Sequence, residues 1–197
     1  MSASPAPPLV LASTSPQRRA ILEQLGLPFD VVAPRYHEAA LDGTEAAELV
    51  VAHARGKARS VGGDAGERPV LGVDTAVVVD ERVLGKPADA GEAEAMLEAL
   101  SGRTHAVVSG LCLRTAAWEE ADHAVTRVAF RPLTPRDLAA YVAAGEWEGR
   151  AGAYAIQGLG AALVRWIDGD YLNVVGLPAA LLVEFLVKRF PGLYGFG

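Results

Sequence analysis

The sequence contains a single cysteine, Cys112, which excludes an internal disulfide and any metal site built on several cysteines. No stretch approaches the roughly 18 uninterrupted apolar residues of a membrane helix, so no membrane span is expected. There is no internal repeat, no heptad run and no compact cluster of Lys and Arg. With 18 basic against 24 acidic residues the net charge is −6, which disfavours nonspecific binding to nucleic acid or to an anionic membrane. A small anion in a local basic pocket is still allowed. The opening MSASPAPPLV is rich in proline and lacks a basic segment followed by an apolar core. It reads as a flexible lead-in over residues 1–8, followed by one α/β domain over 9–197, and the expected location is the cytoplasm. The 197 residues, 51% hydrophobic and 21% charged, suffice for one sizeable core of a soluble α/β protein.

The stretch that organises the rest is Val70 to Pro87, VLGVDTAVVVDERVLGKP. Both faces of its first ten residues are mostly apolar, as in a strand buried on both sides, yet Asp74 stands at the centre. A carboxylate there loses hydration, at a cost of about several kcal/mol unless a cation, a metal or hydrogen bonds compensate. A site residue and a structural aspartate bonded to loop amides are the two readings. Gly72 leaves room for something to approach the backbone. A turn at Asp80-Glu81-Arg82 returns the chain through Val83-Leu84 to Lys86, so a cation is expected on the adjoining strand.

Leu9 to Ala12 predicts a short buried strand. It runs into Ser13-Thr14-Ser15-Pro16-Gln17-Arg18-Arg19, with Ser15 suited to a helix N-cap and Pro16 to the first helical position. A strand, a hydroxyl-rich turn and a helix N-terminus together suit an anion site, with Ser13, Thr14 and Ser15 as donors and the two arginines adding charge; the other reading is a solvated pair of arginines. Phe29 to Ala33 predicts a second strand, and Glu38 falls in the loop after it. Thr44 is the expected cap of a helix running to about Val61, whose apolar stripe Val50, Ala54, Ala58 and Val61 also carries Lys57. That lysine either snorkels out or reaches into a site.

Asp89 and Glu92 have capping-box spacing, and Ala93, Met96, Leu97 and Leu100 make a buried helix face. His105 precedes the strand Val107 to Leu113 and reads as a structural histidine. Further on come a strand at Ala124 to Phe130 and a helix from Thr134-Pro135 to Gly145. Gly149 to Gly160 carries four glycines in this twelve-residue stretch and is expected to be an ordered loop, with Arg150 and Gln157 its only long polar side chains. Leu163 to Ile167 and Tyr171 to Val175 predict a β-hairpin about Asp168-Gly169-Asp170. A last helix beginning at Pro178 is to pack through Leu181, Leu182, Phe185 and Leu186.

Five motifs in order, LASTSPQRRAILEQLG, VLGVDTAVVVDERVLGKP, LSGRTH, AGAYAIQGLG and GDYLNVVGLP, resemble the Maf family of nucleoside triphosphate pyrophosphatases over about Leu9 to Leu186. The resemblance implies an α/β fold with a mixed twisted sheet, flanking helices and two lobes around a central cleft. It also implies hydrolysis of a nucleoside triphosphate to the monophosphate and pyrophosphate, a divalent cation such as Mg or Mn, and a homodimer. Gln157 and Thr75 match the branch of the family that acts on dTTP and UTP. Asp74 is implied as proton acceptor, Glu38 and Asp74 as metal ligands, and Arg18, Lys57 and Lys86 as phosphate-binding residues. The position after Pro16, usually arginine in this branch and linked to specificity, is Gln17 here. Asp74 acts on water either directly or through the metal. Two other functions stay open, a pyrophosphatase for modified or noncanonical nucleotides and a non-catalytic nucleotide-binding regulator of cell division.

Overall fold

A computed structural model of the chain describes residues 6–38 and 44–197, so residues 1–5 of the lead-in lie outside the described part. Strand β1 (Leu9–Ala12) is buried at all four positions, and Ser15 caps the helix α1 (Pro16–Gln24), with Pro16 at its start as the sequence predicts. Strand β2 (Phe29–Val32) lies parallel to β1 at the end of the strand order, with no residue fully buried, as befits an edge strand. Helix α2 (Ala46–Ser60) begins one residue later than expected. Glu45 occupies its N-cap without a side-chain bond, so Thr44 is not the cap, and Glu48 supplies the negative charge that the first turn favours. The polar stretch 62–69 includes a single helical turn, α3 (Gly62–Ala65).

Strand β3 (Val70–Val79) pairs in parallel with β1, then turns through Asp80 and Glu81, both at positive φ, into the antiparallel β4 (Arg82–Leu84). Positive φ at both central residues is what a tight two-residue hairpin needs. Helix α4 (Ala90–Leu100) is capped by Asp89, but Glu92 returns its bond to the amide of Ala88, so only half of the expected capping box forms. Strands β5 (Thr104–Arg114) and β6 (Glu119–Phe130) follow, then α5 (Pro135–Ala143) behind a complete Thr134–Asp137 capping box. The glycine-rich loop forms two 3-10 segments, Ala151–Ala153 and Gly158–Leu163. Strand β7 (Val164–Asp168), helix α6 (Tyr171–Val175) and helix α7 (Ala179–Arg189) complete the fold. The hydrogen-bonded strand order is β2-β1-β3-β5-β6-β7, with β4 on β3, a mixed sheet with flanking helices.

The expected hairpin at 163–175 is not formed. Strand β7 pairs antiparallel with β6, and Tyr171 to Val175 is helical. The reason lies in side chains that compete for the backbone. Thr126 Oγ1 accepts from the Asp170 amide at 3.1 Å, Asp170 Oδ1 accepts from the Leu172 amide at 2.7 Å, and the buried Asn173 donates to Val107 O at 3.1 Å. Local bonds of this kind favour a turn and a helix start over a second strand.

The chain divides into two compact units, one formed by Met1–Asp74, Ser109–Ala124 and Gly176–Gly197, the other by Thr75–Val108 and Val125–Val175. In the first, Val10, Ala12, Ala54, Ala58, Val61, Val70 and Cys112 form one buried cluster, so the lone cysteine is a core residue. Small side chains let α2 approach the sheet closely. A Cβ at Gly72 would overlap the Ala54 carbonyl oxygen, and one at Gly110 would overlap the backbone of Val50. Gly72 therefore admits a helix, not a ligand. The core of the second unit gathers Val77, Val79, Leu97, Leu100, Val128 and Phe130. There His105 meets Phe130 and Tyr154 edge-on, and its Nε2 shares a 2.8 Å hydrogen bond with the Tyr154 hydroxyl, the structural role read from sequence.

Candidate active site

The chemistry of the first unit centres on Asp74. Its side chain is 14% exposed, and Lys57 Nζ donates to its Oδ1 at 2.6 Å and contacts the Val73 carbonyl at 3.5 Å. The cation bonded to Asp74 is a lysine of α2. Lys57 reaches inward because Gly72 and the alanines of α2 bring its helix against β3, and its side chain is only 9% exposed. Lys57 thus turns inward to Asp74 rather than snorkelling out to solvent.

Lys57 Nζ also lies 2.6 Å from Glu38 Oε1, so one ammonium joins two carboxylates from separate parts of the chain. Glu38 is half exposed, and its loop is pinned from three directions. The Tyr36 ring packs over Gly56, where a Cβ would overlap it; the Tyr36 hydroxyl bonds His53 Nδ1 at 3.1 Å; the Arg35 amide donates to Ser60 Oγ at 3.1 Å. Sequence reasoning missed Tyr36 and His53. The signal was Gly56, a glycine inside a helix, which costs about 1 kcal/mol relative to alanine unless something packs against the backbone.

At the turn after β1, Ser13 Oγ accepts from the Ser15 amide and from Arg18 Nη1, each at 3.2 Å. Ser15 Oγ accepts from the Arg18 amide at 3.5 Å and donates to Gln17 Oε1 at 3.2 Å, so Gln17 braces the cap. Arg18 Nε donates to the Gly176 carbonyl at 2.9 Å, a partner 158 residues away that no local pattern reveals. Burial holds the Arg18 guanidinium below the usual arginine value, while the charges of Asp74 and Glu38 oppose that shift. Arg19 instead points outward, paired with Glu23 one turn along the helix.

The structure therefore brings together Ser13, Ser15, Gln17, Arg18, Glu38, Lys57 and Asp74 within one unit. Thr75, Lys86 and Gln157 belong to the other. Thr75 follows Asp74 on β3, Lys86 is exposed after β4, and Gln157 is exposed at the start of the second 3-10 segment, where it makes no side-chain cap bond. The glycines near it serve packing. A Cβ at Gly152 would press on Val77, and one at Gly160 would overlap the Ala155 carbonyl.

One unit of a mixed α/β scaffold thus gathers two carboxylates and two cations, Asp74 and Glu38 with Lys57 and Arg18, into a cluster of the kind that suits a charged ligand. The chain belongs to the Maf family, matching Maf-like protein over residues 8–189. A relative from Nitratidesulfovibrio vulgaris is 47% identical over 184 residues, covering 92% of this chain and 88% of its own length. Relatives from Symbiobacterium thermophilum and Moorella thermoacetica are 48% and 49% identical over 180 residues, covering 91% and 90% of this chain and 93% of each relative. All three are named dTTP/UTP pyrophosphatase. No helix among the described residues is long and apolar enough to cross a membrane.

Proposed function

We propose that the chain hydrolyses nucleoside triphosphates, with dTTP and UTP as its substrates, to the nucleoside monophosphate and pyrophosphate. The observation that carries this is Lys57 held between Asp74 and Glu38, with Arg18 in the same unit, in a chain whose relatives are named for that reaction. A triphosphate brings about four negative charges, and Arg18 and Lys57 supply fixed cations for its oxygens. Ser13 and Ser15 hold the turn that presents Arg18.

A divalent cation fits the donor set. Glu38 and Asp74 already converge on one cationic group, and both are hard oxygen ligands of the kind Mg and Mn take. Among the described residues no group of three or more His, Cys, Asp and Glu could hold a metal, so in this proposal the ion would be held by these two carboxylates and completed by substrate phosphates and water. When bound, the ion supplies Lewis-acid neutralisation of the phosphate oxygens. Asp74 then takes a proton from the attacking water as its oxygen bonds the α-phosphorus. The bond from that phosphorus to the bridging oxygen breaks, pyrophosphate leaves, and Asp74 returns the proton to solvent.

Thr75, Gln157 and Lys86 keep in this reading the roles that the resemblance assigns them, the first two in base selection and the third in phosphate binding. A glutamine amide offers the donor and acceptor that complement the N–H and carbonyl of uracil or thymine. A cytoplasmic homodimer belongs to the same proposal. Initial rates of pyrophosphate release from a panel of triphosphates with Mg or Mn test it directly. Preference for dTTP and UTP supports the reading, and equal rates on purine triphosphates or no release from any of them refute it.

A further inference from the structure

The first unit holds a second basic feature that the proposed reaction does not use. A cavity of about 380 Å³ is lined by Arg59 from the end of α2, Arg68 from the loop before β3, Arg114 from the end of β5, Thr115, and the backbone of Gly62 and Gly63. Val70 also stands in its wall, four residues before Asp74, or about 13 Å along the strand. The cavity shares no residue with the Asp74 cluster.

Its charges do not cancel. Glu119 accepts both bonds of an Arg59 fork at 2.8 and 2.7 Å, and Arg55 and Arg114 lie a further step out, each 3.5 Å from one of its oxygens. One fork is enough to satisfy that carboxylate. Arg68 pairs with Asp30, and Asp64 with Arg35. Of the three arginines in the cavity wall, Arg59 and Arg114 share Glu119 and Arg68 pairs with Asp30, so three guanidinium groups meet two carboxylates.

Arg114 is placed with care. Its Nε is buried and makes no hydrogen bond, and its Nη1 lies so close over Gly62 that a Cβ there would meet it at 2.5 Å. Any other residue at 62 would displace the guanidinium. Gly63, by contrast, has open space at its Cβ position. Guanidinium groups from three elements around one concave space match the planar, multidentate contacts that phosphate oxygens make, and the volume falls in the range of small-ligand pockets.

We propose that this pocket binds a small phosphate-bearing anion, inorganic phosphate or pyrophosphate, at a site separate from the Asp74 cluster. The two sources share the same chemistry, and pyrophosphate, which spreads more charge across three arginines, binds the more tightly. The proposal does not depend on the reaction above.

The test is calorimetric titration of the full-length protein, in EDTA and low salt, with phosphate, pyrophosphate and citrate, accompanied by NMR of the arginine Nε–H signals. The expected result is saturable pyrophosphate binding that shifts the Arg59, Arg68 and Arg114 signals and persists in Arg18→Ala. Gly63→Glu, which places a carboxylate in the pocket without removing any ion pair, and Arg68→Gln should each weaken that binding by roughly ten- to a hundredfold, the effect of one lost charge-assisted contact. Gly63→Glu also guards against an Arg68→Gln variant that merely fails to fold. Wild-type affinity in both variants, binding that disappears with Arg18→Ala, or citrate binding as tightly as pyrophosphate overturns the proposal.

Discussion

Replacing Lys57 with methionine keeps the length and apolar stem of the side chain and removes the ammonium that joins Asp74 to Glu38. The bond to Asp74 is 2.6 Å long between side chains only 9% and 14% exposed, so it lies at the strong end for a charge-assisted contact, about 1.5–3 kcal/mol. The bond to Glu38 has the same length, but Glu38 is half exposed, and solvent reduces it to about 1 kcal/mol or less. Lys57→Met should therefore lose about 2–4 kcal/mol at neutral pH, which for a chain of this size lowers Tm by roughly 5–15 °C. Part of that loss is packing, so the decisive quantity is the coupling. Urea unfolding of wild type, Lys57→Met, Asp74→Asn and the double variant, at constant m value, should give an interaction energy of about 1–3 kcal/mol between positions 57 and 74. Two effects that add to within about 0.5 kcal/mol would mean that the ammonium does not compensate Asp74, and the account of how β3 tolerates a central carboxylate would fail.

Arg18→Ala should raise KM for a triphosphate by roughly ten- to a hundredfold in steady-state kinetics, since one charge-assisted phosphate contact is lost, while Arg19→Ala, which breaks only an exposed pair with Glu23, should change it less than about twofold. Equal or reversed effects would show that Gln17 shifts the register of the site. His105 is held by burial at a pKa of about 4, against 6.5 for an exposed histidine. Below pH 6.5 the unfolded chain takes up a proton that the native state refuses, so His105 lowers stability as pH falls from about 6.5 towards 4, by about 3 kcal/mol over the whole window, and adds nothing above it. Unfolding free energies across that range should have a shallower slope in His105→Gln than in wild type, and identical slopes would contradict the buried neutral histidine.

Much of the fold is legible in local chemistry. Ser15-Pro16 starts α1, Thr134 and Asp137 close a capping box, and the run VLGVDTAVVV forms the long strand with its acid at the centre, because each feature depends on residues within a few positions. Features decided by distant partners are not legible in this way. Tyr171 to Val175 has the apolar content of a strand, and bonds to Thr126 and Val107, from elsewhere in the fold, favour the helix instead. Gly72 beside Asp74 looks like space for a ligand until α2 is seen packed on it. The same close approach brings Lys57 to Asp74, so the cation of the cluster could be read from the α2 stripe as a candidate but not assigned its partner. The place of Arg18 in the turn after β1 was legible, whereas its anchor on the Gly176 carbonyl was not.

The most direct test of the central claim is the rate of pyrophosphate release by Asp74→Asn, measured with dTTP and Mg at neutral pH beside its Tm and its affinity for the substrate. The substitution keeps the shape of the side chain and removes the proton acceptor. The account predicts a rate lower by roughly 10²–10⁴-fold, the contribution of a positioned general base, with the fold intact and binding still measurable. A folded variant that binds dTTP and turns it over within about tenfold of wild type would contradict it.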